Sequence, residues 1–407
     1  MRQLDFLRLN APFLSAGFLL TFGSAFGQTF FISLFAGEIR AEFGLTHAAW
    51  GGIYALGTTA SAIVMVWAGG LTDVFRVRVI GAVTLLLLMA SCLFMAWNVS
   101  AALLPVVIFA LRFSGQGMMS HIGTVAMARW FVGARGKALS VASLGFSLAE
   151  ASLPVIFVAL MAIFDWRLLW VVAAGGALVL LPILLRLLRL ERTPSAVAAE
   201  TEAFGLEGRH WRRNEVLRHR MFWLLMPALL APPAFNTAFF FQQVQFAEVK
   251  DWAHLELVAF FPIYTLSAVS AMVVSGLLID RFGTARIMPV YQLPFAVAFI
   301  IFSFAQTPLQ ALPAFVCLGV STGVNATLPA AFWAEFYGTR YIGSIKAMAS
   351  AIMVLGSAIG PGVTGYLITA GLGLETQMLG ISLVFVIASA LVAIGIASVM
   401  RSGTAAA

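Results

Sequence analysis

Gly69-Gly70-Leu71-Thr72-Asp73-Val74-Phe75-Arg76-Val77-Arg78 is written a second time further along the chain, as Gly276-Leu277-Leu278-Ile279-Asp280-Arg281-Phe282-Gly283-Thr284-Ala285-Arg286. The two aspartates stand 207 positions apart in 407 residues, and each copy lies between long apolar runs. A small-residue helix end, an aspartate and a basic turn, repeated at half the chain length, predict two homologous membrane bundles.

The surrounding composition agrees. Hydrophobic residues make up 61% of the chain and charged residues 10%, with a mean hydropathy of +0.97, whereas soluble domains carry about 25% charged residues. A bilayer core takes about 20 apolar residues per helix, so the length predicts an all-α membrane protein. Runs between charges place twelve transmembrane helices near 11–35, 48–70, 79–97, 101–127, 138–163, 168–188, 221–246, 255–279, 287–305, 309–334, 342–370 and 376–400. The expected organisation is two pseudo-symmetric six-helix bundles, 1–190 and 221–407, joined by a cytoplasmic linker, 191–220. That linker reads as solvated, with an interfacial helix near the basic run Arg209-His210-Trp211-Arg212-Arg213.

Charge then gives orientation. With both termini cytoplasmic, cytoplasmic segments hold 20 Lys and Arg and the opposite side holds Arg40, Arg167 and Lys250. A bacterial inner membrane is the expected location. The net charge of +7 is dispersed among spans rather than gathered on one soluble face, so no nucleic-acid partner is expected. Cys92 and Cys317 fall in apolar runs and read as packing residues. The stretch after Met1-Arg2 is too long and lacks the cleavage site of a signal peptide, so it reads as a first span.

The repeat extends further. Trp130-Phe131-Val132-Gly133-Ala134-Arg135 parallels Glu335-Phe336-Tyr337-Gly338-Thr339-Arg340. Parallel repeats related by an axis along the membrane normal place a small-molecule substrate between the halves, near mid-membrane. These residues resemble the major facilitator superfamily over essentially the whole chain. Gly276, Asp280, Arg281, Gly283 and Arg286 match its loop signature, while in the first copy Val74 and Arg76 replace an Arg and a Gly. The resemblance implies gating by these loops, with Asp73, Arg78, Gly276, Asp280, Arg281, Gly283 and Arg286 as gating residues. Glycine admits close helix approach, and aspartate accepts bonds from helix N-terminal amides. Arg112-Phe113-Ser114-Gly115-Gln116-Gly117 is similar to the superfamily's fourth-span signature. Gly356-x-x-x-Gly360-Pro361 resembles the antiporter signature, displaced from span five to span eleven. The run Arg129-Trp130-Phe131 to Arg135-Gly136-Lys137 resembles the monocarboxylate and oxalate/formate branch.

An ionisable side chain at mid-membrane costs about 2.5–3.5 kcal/mol on insertion scales, which marks functional pathways. Arg112 lies mid-depth in span four with no acidic partner at helical spacing, and reads as an anion site. Glu150 in span five reads either as a proton carrier or as a partner of Arg112; a carboxyl held in apolar surroundings can exchange protons near neutral pH. His121, half a turn out of phase with Arg112, is a second proton-coupling candidate. Gln28, Gln116, Asn236 and Asn325 are neutral groups for the substrate, and Pro232-Pro233 should break or kink span seven. Gln243 and Gln245 read as water-facing. Phe30-Phe31 and Phe239-Phe240-Phe241 read as lipid-facing or as a cavity wall.

No Gly-x-x-x-x-Gly-Lys-Ser/Thr loop is present, so energy is expected from a gradient. The chain therefore reads as a monomeric secondary carrier, without cofactor or metal. It should move a small organic anion, a carboxylate coupled to protons, by alternating access. The alternative within transport is efflux of amphiphilic compounds by proton antiport. A membrane enzyme or sensor would need a nucleophile–base set, a metal cluster or a signalling domain, and the sequence offers none.

Overall fold

The computed structural model describes residues 8, 10–131, 135–189, 205–338 and 341–404, without the side chains at 66, 73, 128, 129, 135–137, 280, 342–344, 346, 347, 350, 351 and 401–404. The basic side chains of Arg2, Arg129, Arg135, Lys137, Arg340, Lys346 and Arg401, and linker residues 191–204, lie outside this set. Among the described residues every regular element is helical. The chain divides into two compact units, Met1–Ala199 and Glu200–Ala407.

In the first unit α1 is a bent pair, Ala11–Gly27 and Thr29–Phe43, with 44° between its parts. It ends where Gly44 turns to φ 62°. Helix α2 spans His47–Ala68, capped by Thr46 Oγ1 accepting the Ala49 amide at 3.1 Å, and α3 spans Val77–Trp97. Helix α4 is continuous through Leu104–Leu111, Arg112–Met119 and Ser120–Trp130, the middle part wound as a π-helix. Helices α5, Arg135–Met161, and α6, Trp166–Leu187, complete the unit. The second unit contains α7, Arg220–Phe241; α8, Phe261–Phe282; α9, Leu293–Phe304; α10, Leu312–Tyr337; α11, Ile342–Thr369; and α12, Leu374–Thr404.

The units repeat one packing plan. In the first, α1 packs on α5, α2 on α4 and α3 on α6; in the second, α7 packs on α11, α8 on α10 and α9 on α12. Among the described residues ten helices are long and apolar enough to cross a bilayer, and the bent α1 makes eleven. The span expected at 287–305 is the twelfth. Its regular part, α9, has only 12 residues, because residues 288–292 form turns between Pro289 and Pro294, which lack the amides a longer helix would need.

The phenylalanine runs are core residues, which corrects the lipid-facing reading. Phe31 meets Phe26, Phe35, Phe157 and Trp170, and Phe239 stacks on Phe302 at 4.5 Å. Such contacts bring about 0.5–1.5 kcal/mol per pair beyond area burial. Gln243, expected to face water, is fully buried, and its Oε1 lies 3.4 Å from His254 Nε2.

Span seven is not broken either: α7 continues through Pro227, Pro232 and Pro233. Pro232 cannot donate to the Ala228 carbonyl, and that carbonyl instead accepts from Gln292 Nε2 at 2.5 Å and from Tyr291 Oη at 3.2 Å. A neighbouring span thus replaces the missing backbone donor.

An ion pair ties helix ends in each unit. Arg167 at the start of α6 pairs with Glu42 near the end of α1, and donates to the Ala96 carbonyl of α3 at 2.7 Å. Lys250, after α7, pairs with Glu375 at the start of α12, and donates to the Ser303 carbonyl of α9 at 2.8 Å. Glu42 and Lys250, and likewise Arg167 and Glu375, stand 208 positions apart. The second half therefore repeats the contact with the charges exchanged.

The described part of the connection before α7, residues 205–219, packs one side on the second unit and leaves its arginines exposed. Trp211 is 6% exposed; its amide donates to the Tyr337 carbonyl at 3.0 Å and its Nε1 to the Leu206 carbonyl at 3.2 Å. His219 Nδ1 lies 3.0 Å from Tyr337 Oη. Val216, from the short helix Arg213–Arg218, joins Phe222, Phe332 and Trp333 in the core of the second unit. Residues 205–219 form a strap across the end of α10.

Candidate functional site

Among the described residues Arg112 is the most deeply buried charge in the first unit, at 1% exposed. Its surroundings follow from the break in α1. Gln28 is extended (φ −85°, ψ 155°), and the Phe31 amide turns back to the Gln28 carbonyl at 3.2 Å, which releases the Gly27 carbonyl from the helix. Arg112 Nη1 donates to that carbonyl and to Thr29 Oγ1, each at 3.2 Å. Thr29 Oγ1 shares a 2.5 Å hydrogen bond with Tyr54 Oη from α2, and the guanidinium carbon lies 5.4 Å from the Tyr54 ring centroid.

Helices α1 and α4 come together backbone to backbone here. A Cβ on Gly115 would lie 2.7 Å from the Gly27 nitrogen, so only glycine fits. The approach is made within the π-helical turns that begin at Arg112, a distortion frequent at functional sites.

One edge of the guanidinium is hydrogen-bonded; the other, Nε and Nη2, is buried without a hydrogen-bond partner among the described residues. These two N–H groups point the same way and match the two oxygens of a carboxylate. A buried cation half satisfied in this way can take an anionic group. Glu150 is buried in α5. Gln28 and Gln116 are half-buried, and neither donates to nor accepts from the guanidinium among the described residues.

The second unit has a neutral counterpart. Gln292 Nε2 donates to Tyr291 Oη at 2.8 Å, Tyr291 Oη lies 3.2 Å from Asn325 Oδ1, and Ser321 Oγ donates to the Tyr291 carbonyl at 2.9 Å. Asn325 thus enters a network, while the half-buried Asn236 has an Oδ1 without a described partner. A separate small cavity of about 20 Å³ in this unit is lined by Phe239, Gln242, Phe246, Thr364 and Gln377. Thr29, Tyr54, Tyr291 and Gln292 were not singled out from the sequence. The available signal was polar side chains inside apolar runs.

The family model of the Major Facilitator Superfamily matches residues 17–361, and again 263–404. The chain belongs to the Major Facilitator Superfamily. Membership makes it a membrane transporter acting on a small-molecule substrate, not an enzyme. No curated protein sequence matches it. Among solved structures it resembles a mutant of the nucleoside transporter NupG, with 13% identity over 95% of this chain and 99% of that one and a TM-score of 0.70. It also resembles a bacterial homolog of the human lysosomal transporter Spinster in an inward-facing, occupied conformation, with 14% identity, 96% of each chain covered and a TM-score of 0.69. At these identities the likeness establishes the fold, twelve transmembrane helices in the superfamily's arrangement.

The superfamily's loop motifs occupy the ends of α2 and α8. In the first copy His121 of α4 donates from Nε2 to the Gly69 carbonyl at 3.1 Å and lies 3.5 Å from Thr72 Oγ1. The structure therefore places His121 at the loop motif. Arg78 is exposed at the start of α3. In the second copy Gly283 (φ 74°) turns the chain out of α8, and Glu335 of α10 accepts the Thr284 amide at 3.0 Å. The acceptor of a helix N-terminal amide is here a glutamate from another span. Arg281 and Arg286 are exposed, the former 5.3 Å from the Phe282 ring. A Cβ at Gly276 would meet no atom within 4 Å, so among the described residues the close approach expected there is not made. The carboxylates of Asp73 and Asp280 lie outside the described side chains.

Proposed function

We propose that this superfamily member is a secondary carrier for a small organic anion, a carboxylate moved together with protons by alternating access. The observation that carries the proposal is the unsatisfied Nε/Nη2 edge of buried Arg112. Arg112 holds the carboxylate, while Thr29, Tyr54 and the Gly27 carbonyl fix the guanidinium. Gln28, Gln116, Asn236 and Asn325 are the neutral hydrogen-bonding groups for the substrate. Glu150 carries the proton, and His121 links protonation to the loop at Gly69. Asp73, Arg78, Gly276, Asp280, Arg281, Gly283 and Arg286 serve the loop gates. The carrier works as a monomer in a bacterial inner membrane with both termini cytoplasmic, supported by the 20 to 3 division of Lys and Arg.

The test is uptake of radiolabelled mono- and dicarboxylates into proteoliposomes under an imposed pH gradient. Wild-type protein should take up at least one of them, faster with the acid side outside. Arg112→Ala should lower the rate at least about tenfold, and Arg112→Lys, which keeps the charge but not the fork, should fall between. Undiminished uptake by Arg112→Ala would remove the anion site. Proton-driven export of an amphiphilic dye with no carboxylate uptake would favour the efflux alternative.

A further inference from the structure

The strap before α7 carries a basic surface outside the residues assigned above to substrate, proton and gates. Arg209, Arg212, Arg213, Arg218 and Arg220 are exposed. The carboxylates within the strap are already engaged. Arg209 pairs with Glu207 at 3.0 Å and Glu215 at 3.1 Å, and its guanidinium carbon lies 4.0 Å from the Trp211 ring. Glu215 also accepts the Arg212 amide at 2.6 Å. That leaves Arg212, Arg213, Arg218 and Arg220 without an ion-pair contact to a carboxylate among the described residues.

The strap that carries these four, up to the start of α7, is held in place. Trp211 and Val216 bury the strap's backbone against α7 and α10, and the Arg212 guanidinium carbon lies 5.5 Å from the Tyr341 ring. Their level in the membrane is marked by Trp223, in the first turn of α7. Its side chain is 56% exposed, and its Nε1 donates to the strap's Leu217 carbonyl at 2.8 Å. An exposed tryptophan at a span's end sits at headgroup depth, so the arginines beside it face the phosphate layer. We propose that Arg212, Arg213, Arg218 and Arg220 bind the headgroup phosphate of an anionic phospholipid. The four side chains are exposed, which suits a ligand concentrated in two dimensions. An anionic membrane surface attracts each nearby basic residue by about 1 kcal/mol, or about fivefold in local lipid concentration.

The experiment uses the full chain, extracted from vesicles of zwitterionic phosphatidylcholine containing about one fifth anionic phosphatidylglycerol, with co-purified lipid quantified by mass spectrometry. Wild-type protein should retain the anionic lipid at least about fivefold above its bulk ratio, and less so at high salt, where surface charge is screened. R212Q/R213Q/R218Q/R220Q should fall to the bulk ratio, and the matching all-lysine variant should keep its enrichment. Equal enrichment in the wild type and the glutamine variant would overturn the proposal. So would an unenriched wild type, or displacement of the lipid by millimolar inorganic phosphate, which would assign the surface to a soluble anion. The wild-type salt dependence and the lysine variant decide the matter if the glutamine variant does not fold.

Discussion

Pro232 has no amide hydrogen for the Ala228 carbonyl, and Gln292 supplies one from the next bundle layer. Losing a partner of a buried acceptor costs about 1–3 kcal/mol when none remains. Because Tyr291 Oη still reaches the Ala228 carbonyl at 3.2 Å, Gln292→Leu should destabilise the second half by about 1 kcal/mol, the low end of that range. Pro232→Ala restores the helix's own donor and should make Gln292→Leu less damaging. A double-mutant cycle read by thermal unfolding in detergent would show this as positive coupling; strict additivity would mean the two donors do not substitute for one another. Arg112 was legible in the sequence as the one charge at mid-depth of span four. Its partners were not. The Gly27 carbonyl becomes available only because α1 breaks at Gln28, and an apolar run with small residues does not announce where a backbone bond is given up. Gln292 was an amide in plain sight, but its importance depends on a proline 60 positions earlier.

Most helices were readable from apolar runs, since lipid leaves a spanning backbone little choice but to satisfy itself. The shortened α9 and the strap were less so, because both depend on tertiary partners that replace water or backbone. In the strap, burial against Trp211 and Tyr337 holds the His219 imidazole below its ordinary pKa. The neutral ring is therefore the form that docks. A group depressed on folding contributes fully above its unfolded value of about 6.5, and that contribution is lost as pH falls below it. Hydrogen exchange across residues 205–219 should accelerate between about pH 7.5 and 5.5 once corrected for intrinsic rates. His219→Gln should flatten that response, and an unchanged pH response in the variant would place the sensor elsewhere. The Glu215 carboxylate is shifted downward by the Arg212 amide it accepts, so it stays ionised through this range.

At the scale of the molecule, each half fastens the ends of its first, third and sixth helices with one cation, one carboxylate and one carbonyl. The Arg167–Glu42 pair is partly exposed on both sides, so about 1 kcal/mol or less is at stake in that ion pair itself, whereas Lys250 is buried and loses more if its partner is removed. Glu42→Lys should lower the apparent melting temperature by a few degrees, because it sets two cations together. Glu42→Lys combined with Arg167→Glu recreates the second half's polarity, with the introduced ammonium in reach of the Ala96 carbonyl, and should recover most of the loss. A double variant no better than the singles would show that local geometry has committed each half to its own sign. The exchange of signs also limits what recombination can do with this gene. Grafting the first helix of one half into the other would bring Lys250 against Arg167, or Glu42 against Glu375. The two halves thereby keep one contact with opposite polarity, so each first helix is matched to the sixth helix of its own half.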